Sequence, residues 1–510
     1  MSAWGKNGSA RSCDDLLKRV EENDPRLTEI TVLPLKKFGS REIFRLVKCL
    51  DSEKNTHLRS LQASGHGIDD HTALEALGRA LGMPLESIAV GDSNMGDGGV
   101  CALCRGIECN KKIEDGQNTG GLKAIDLSFK NVGKEGLRAI IRVLGALQSL
   151  DSIDLSRNEN IGPSFDFLEF VSTKQPIFPG LVDLDLSGCR LDTSSCTTLL
   201  QAMQPIEDED GQEKQTSERT SRNLVLKLNS NNFSDPLQVK DMMNVLSQGS
   251  LVSQLYISAC QIGDDGMEHM INECCKSGVN NDATNFQSLH TLDVSNNDLS
   301  SIASLANRLH QSANGNSHYF SNLKSLNLSN NPLGANLLSS IGSNVQWISS
   351  LEELDLSNTT CEIPGAVELI CRSNSQSASL KKLNLFGNKL GSDGFLELAK
   401  VLRGGHASLE YLDLGGNGAT ESGVVELVKA VTSLSLTESE EKEELPSGES
   451  TLRVLVVGGN SGGQALEKVI NEAGTTHPDL DIARDKAKKK QGVPNGGNMM
   501  NNTPGTSWTS

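Results

Sequence analysis

Leu380-Lys381-Lys382-Leu383-Asn384-Leu385-Phe386-Gly387-Asn388-Lys389-Leu390 decides how this chain folds. Its four leucines are separated by three, two and five residues, and an asparagine stands between the last two. The same pattern, Leu-x-x-Leu-x-Leu-x-x-Asn-x-Leu, returns at Leu289, Leu292, Val294, Asn297 and Leu299, and again at Leu323, Leu326, Leu328, Asn331 and Leu333. Looser copies begin at Leu122, Leu150, Leu181, Val252, Leu351, Leu409 and Leu452, and Leu226 with Leu228 marks another. Weaker early copies begin at Leu27, Leu58 and Leu85, which makes about fourteen in all. Chance does not restore one register so often, so the chain is read as a stack of repeats.

Each position of the motif has a physical task. The alternating Leu-x-Leu forms a short strand whose apolar side chains face one way, at the two-residue period of the pleat. The asparagine closes the turn that follows, where its amide can satisfy backbone groups left without partners. Asn158, Asn231, Asn297, Asn331, Asn388, Asn417 and Asn460 hold that place, and Cys189 and Cys260 replace it in two other copies. Past the turn, apolar residues fall at helix spacing, as in Leu137, Ile140, Ile141 and Leu144, or Phe395, Leu398, Ala399 and Leu402, or Val424, Leu427, Val428 and Val431. The expected fold is therefore α/β: a horseshoe solenoid with a parallel concave sheet and convex helices. Each unit buries its core against its neighbours, which is how 510 residues can share one array.

Composition agrees. Hydrophobic residues make up 36% of the chain and aromatics only 4%, so the core is aliphatic and suits thin layers. A net charge of −18 argues against nucleic acid and against an anionic membrane surface, because both are held by Lys and Arg. The first residues show no apolar signal-peptide core, and no stretch approaches the roughly 18 apolar residues of a membrane span. The expected compartment is the cytoplasm, where the twelve cysteines are reduced thiols.

The domain plan follows. Residues 1–11 are expected to be flexible, 12–473 to form the repeat domain with a capping helix over 12–26, and 474–510 to be a disordered tail. The segments 204–222 and 432–450 are charged and poor in apolar residues, and read as exposed insertions. Ser439, among glutamates in the second of them, is the place where phosphorylation would add regulation.

No catalytic arrangement emerges. Cys101 and Cys104 have zinc-like spacing but lack a second pair, and they fall on a predicted helix. The histidines show no metal spacing, and Gly458-Gly459-Asn460-Ser461-Gly462-Gly463 lacks the Lys-Ser/Thr of a phosphate loop. No cofactor is expected. The residues between the inward leucines are more informative, since they point out of the sheet in columns. One column reads Asp126, Asp154, Asp185, Asp293, Asp355 and Asp413, continued by Asn327 and Asn384; beside it run Asp183, Glu353, Lys382 and Tyr411. Such a column would attract a protein partner with a basic surface.

The repeat core, about residues 24–470, resembles the leucine-rich-repeat superfamily and within it the ribonuclease-inhibitor-like subclass. That superfamily includes Ran GTPase-activating proteins, ribonuclease inhibitors and the sensing domains of NOD-like receptors. The stretch Leu17-Lys18-Arg19-Val20-Glu21-Glu22-Asn23-Asp24-Pro25-Arg26-Leu27-Thr28-Glu29-Ile30 is similar to the entry into the tropomodulin repeat domain. The resemblance implies a non-catalytic interaction scaffold with actin as a candidate partner, and a Ran-type GTPase activator as the alternative.

Overall fold

A computed structural model describes residues 13–51, 55–82, 84–110, 121–171, 176–204, 223–248, 251–273, 288–303, 322–334, 351–373, 379–403, 408–432 and 451–484. Among them fifteen parallel strands pair strictly in chain order. The front of the sheet is β1 (Glu29–Thr31), β2 (Ser60–Ser64), β3 (Ser87–Gly91), β4 (Ala124–Asp126), β5 (Ser152–Asp154) and β6 (Asp183–Asp185). The middle is β7 (Leu224–Lys227), β8 (Val252–Tyr256), β9 (Thr291–Asp293) and β10 (Ser325–Asn327). The rear is β11 (Glu353–Asp355), β12 (Lys382–Asn384), β13 (Tyr411–Asp413), β14 (Val454–Val456) and β15 (Asp481–Ala483). This is the expected leucine-rich-repeat horseshoe, with the helices on the convex side.

Most strands are three residues long, and in six of these the central side chain alone is buried, as in Ile125, Ile153 and Leu184. The helical residues read from the sequence, Leu137, Ile140, Ile141 and Leu144 among them, are buried too, as are Phe395, Leu398, Ala399 and Leu402. One continuous aliphatic core thus runs between sheet and helices. Helices α1 (Asp14–Glu21), α2 (Ser40–Asp51), α3 (His71–Arg79) and α4 (Gly96–Glu108) cover the front. The last two pack through glycines: a Cβ on Gly106 would lie 2.0 Å from the Glu75 carbonyl oxygen, and one on Gly78 would lie 2.3 Å from the Leu103 oxygen. Only the absence of side chains permits that approach.

The turn position carries a ladder of buried amides. Asn388 Nδ2 donates to the carbonyls of Leu356 (2.8 Å) and Leu385 (3.0 Å), while its Oδ1 accepts from the backbone N–H groups of Thr359 (3.0 Å) and Cys361 (2.9 Å). Asn158, Asn331 and Asn417 repeat this arrangement, each satisfying backbone in its own repeat and the preceding one. The substitute thiols keep the donor half: Cys189 and Cys260 Sγ each lie 3.2 Å from the preceding repeat's carbonyl, Leu155 and Leu228 respectively. Burial pushes both thiols up to about 12. Among the described residues, Cys104 lies in the core, Cys101 is partly exposed and Cys109 is exposed.

At the front end, helix Asp14–Glu21 precedes β1 and buries Leu17 and Val20. The chain then turns at Asn23, whose φ is 52°, before Pro25. At the rear, the repeat domain reaches past residue 473. Helix Gln464–Thr476 continues into the stretch expected to be disordered, and β15 follows it. Ile482 pairs with Leu455 and packs with Leu480 on the core, so this strand covers an edge that would otherwise lie open. The insertions expected at 204–222 and 432–450, Ser439, the tail beyond 484 and residues 1–11 lie outside the described residues, apart from the element ends at 204 and 432.

Candidate functional site: the inner face of the sheet

Strand register brings the predicted residues into one column: Asp126, Asp154 and Asp185 are neighbours on β4, β5 and β6. Lys227 and Tyr256 then interrupt the column before Asp293, Asn327, Asp355, Asn384 and Asp413 resume it. Glu353, Lys382 and Tyr411 are neighbours in the adjoining column, where Lys382 Nζ pairs with Glu353. Lys227 Nζ pairs with Asp183 at 3.0 Å, so the interruption also neutralises an acid.

Each column carboxylate has a second task. Its Oδ1 accepts the N–H two residues on, from Ser128 to Asp126, Ser156 to Asp154, Ser187 to Asp185 and Ser357 to Asp355, at 2.7–2.9 Å. These short-range bonds turn the chain out of the strand and fix the carboxylate. Asn327 and Asn384 do the same for Ser329 and Phe386, both at 3.0 Å. An amide therefore fills the structural role equally well.

The charge is distributed unevenly. Asp355 and Asp413 are only 4% and 8% exposed, too covered to meet a partner directly, which narrows the site expected from the sequence. Burial raises the Asp355 carboxyl to about 7, opposed by hydrogen bonds from Ser357 and Asn384. Burial likewise raises Asp293 and Asp154 above the usual carboxylate range, against the Ser295 and Ser156 bonds. Tyr411 is pushed up to about 12 by burial and by Asp413. Asp126, Asp154, Asp185 and, further back, Asp293 are half-buried, and at the front the adjoining Ala124 and Ser152 are small and leave the row of three in reach of a partner.

Beneath this front patch lies a residue the sequence reading passed over. Lys130 occupies the turn position of its repeat, is 2% exposed, and its Nζ donates to Ser64 Oγ at 2.5 Å. Burial holds its pKa below the ordinary lysine range, against the opposing pull of Asp126, Asp92 and Asp154. Its position three residues after Leu127 was readable from the motif.

No group of three or more potential metal ligands occurs among the described residues. Among them, too, no helix is long and apolar enough to cross a membrane.

Comparisons with known proteins agree on the repeat. The family described as Leucine Rich repeat matches residues 376–399, and that described as Leucine Rich Repeat matches residues 322–344. Among solved structures the chain is similar to the Rad7 and Elc1 complex of yeast, at 16% identity and a TM-score of 0.41, covering 93% of this chain and 87% of that one. It is also similar to an internalin, InlF of Listeria monocytogenes, at 16% identity and a TM-score of 0.40, covering 81% and 86%. No curated protein matches the chain. The strand and turn of the motif recur in one register along the described residues, and the chain folds as a leucine-rich-repeat solenoid.

Proposed function

We propose that this protein is a non-catalytic, cytoplasmic interaction scaffold that holds a partner with a basic surface on the front of its inner sheet. One observation carries the reading: Asp126, Asp154 and Asp185 stand side by side on consecutive strands, each fixed by a backbone N–H. Prefixed charges lose little freedom on binding, and a row of one sign steers an opposite surface toward it. The narrower form of the reading takes actin as the partner; it rests on the tropomodulin-like entry at residues 17–30.

The decisive variant is Asp126→Asn/Asp154→Asn/Asp185→Asn. It removes three charges yet keeps the turn, as Asn327 and Asn384 do natively. Capture of a basic protein in a pull-down should be lost in the variant and should weaken with salt in the native chain. Capture that survives the triple change overturns the reading. Pointed-end actin assays and Ran-GTP hydrolysis assays on the same samples separate the cytoskeletal form from the GTPase-activating alternative.

A further inference from the structure

From the repeat of β4 to that of β14, one position crosses the lip of the sheet with left-handed backbone, just before the turn residue. Gly188, Ser230, Ala259, Asn296, Asn330 and Asn358 occupy it, with φ between 53° and 66°. Each donates its N–H to a carbonyl of the next repeat, so the geometry comes from the stacking. Glycine, asparagine and small residues suit that backbone. Two large residues depart from the rule, and they are adjacent: Phe129 (φ 55°) and Arg157 (φ 60°). Phe129 is 63% exposed, the most open of the exposed large aromatic rings among the described residues. A bulky side chain in this conformation costs stability, and one turned to water returns none through burial.

Two further observations indicate what would cover it. Phe129 follows Asp126 by three residues and Arg157 follows Asp154 by three, so the ring stands at the rim of the acidic row. The hydroxyl of Ser187, whose carbonyl accepts the Arg157 N–H at 2.7 Å, is buried without a partner, alone in this among the described side chains. Its oxygen is sealed from water in the free chain, so it meets a partner's polar group only if the lip opens on docking.

We propose that Phe129 is the apolar anchor of a docking surface formed with Asp126, Asp154, Asp185 and Ser187, and that its partner is an extended protein segment carrying Lys or Arg beside a large apolar side chain. The inference rests on the acidic-face reading above and adds the anchor and the form of the ligand. Aromatic anchors dominate binding energy when a partner desolvates them, and the acidic row gives charge complementarity to the basic flanks.

The test uses the full chain and two fluorescent peptides of equal positive charge, one Lys-rich with a central Leu-Trp pair and one Lys-rich with Ser-Ser instead. Fluorescence anisotropy should show the native chain preferring the Leu-Trp peptide about tenfold. Phe129→Gly should abolish that preference and leave the affinity for the Ser-Ser peptide unchanged. The same variant should melt a few degrees higher, since glycine relieves the backbone. Ser187→Ala should weaken both peptides about equally while the fold is retained. An undiminished preference in Phe129→Gly, or a fall in its melting temperature, overturns the anchor while leaving the acidic face intact. Failure of the triple asparagine variant to weaken the Ser-Ser peptide, or no binding of either peptide to the native chain, overturns both.

Discussion

Asn384 Nδ2 donates to Asp355 Oδ2 at 3.1 Å, joining an amide of one repeat to a buried carboxyl of the repeat before it. The pair shows how the same column can hold an acid without holding a full charge. With the carboxyl raised to about 7, the folded chain keeps a proton on Asp355 that the unfolded chain releases near the ordinary carboxylate value. Between those two values native stability falls as pH rises, because the folded state binds more protons. Asp355→Asn should therefore stabilise the protein by on the order of 2 kcal/mol at pH 8 and by almost nothing near pH 4. Urea titrations of both chains at the two pH values check this; an equal gain at both would show that charge is not the cause.

Lys130 has the opposite sign. Its lowered pKa means that the unfolded chain holds a proton the folded chain gives up, so native stability rises with pH toward the ordinary lysine value. Lys130→Asn supplies the amide that the other repeats use at this position and removes a buried ammonium. It should stabilise by about 1 kcal/mol at pH 7, with the advantage shrinking as pH approaches 10. Thermal melts across that range decide it, and a destabilised variant would show that the contact with Ser64 outweighs burial of the charge.

Removing a rung of the amide ladder should be costly. Asn388→Ala strands the N–H groups of Thr359 and Cys361 in the core, while the carbonyls of Leu356 and Leu385 lose one of their two bonds and keep the Thr359 hydroxyl and the Asn417 amide. Each buried orphan costs about 1–3 kcal/mol before relaxation, so a net loss of about 3 kcal/mol is expected. Hydrogen exchange should show the Thr359 and Cys361 amides opening faster while the N–H groups of β4 keep their rates.

The close approach of α3 and α4 gives a steric test. Gly106→Ala places a methyl group 2.0 Å from the Glu75 oxygen, against backbone that cannot swing aside. The helices must separate, at a cost of about 2 kcal/mol or more. Gly474→Ala, with nothing within 4 Å of the added carbon, is the neutral control.

The repeat register was legible because leucines at a two-residue period specify which side chains turn inward. The columns on the inner face followed from it without further information, Asp126 beside Asp154 beside Asp185 included. Burial within a column was not legible, because it depends on the next repeat: Asp355 is covered where Asn384 reaches back to it, whereas Asp126 faces only Ala124 and Ser152 in the adjoining column. The motif also says nothing of φ, so nothing in it sets Phe129 apart from the other variable residues. Strand β15 carries a single Ile482 and no leucine pattern, and its role as an edge cover arises only from pairing with β14.

The amide ladder spans only part of the array. Its rungs run from Asn158 to Asn460, with Cys189, Cys260 and Thr359 as partial substitutes, whereas the first four repeats place Leu35, His66, Ser93 and Lys130 at the same position. His66 keeps one bond, to the Val32 carbonyl at 3.1 Å, but Leu35 is 67% exposed and contributes no rung. In a linear stack, where units couple only to their neighbours, such a gradient makes the molecule unzip from one end. The front should breathe on its own, with protease nicks concentrating ahead of Asn158 while the rear stays closed. The acidic row straddles that boundary, so a partner bridging β4 to β6 would clasp the loose end to the firm one and be read out as protection of residues it never touches.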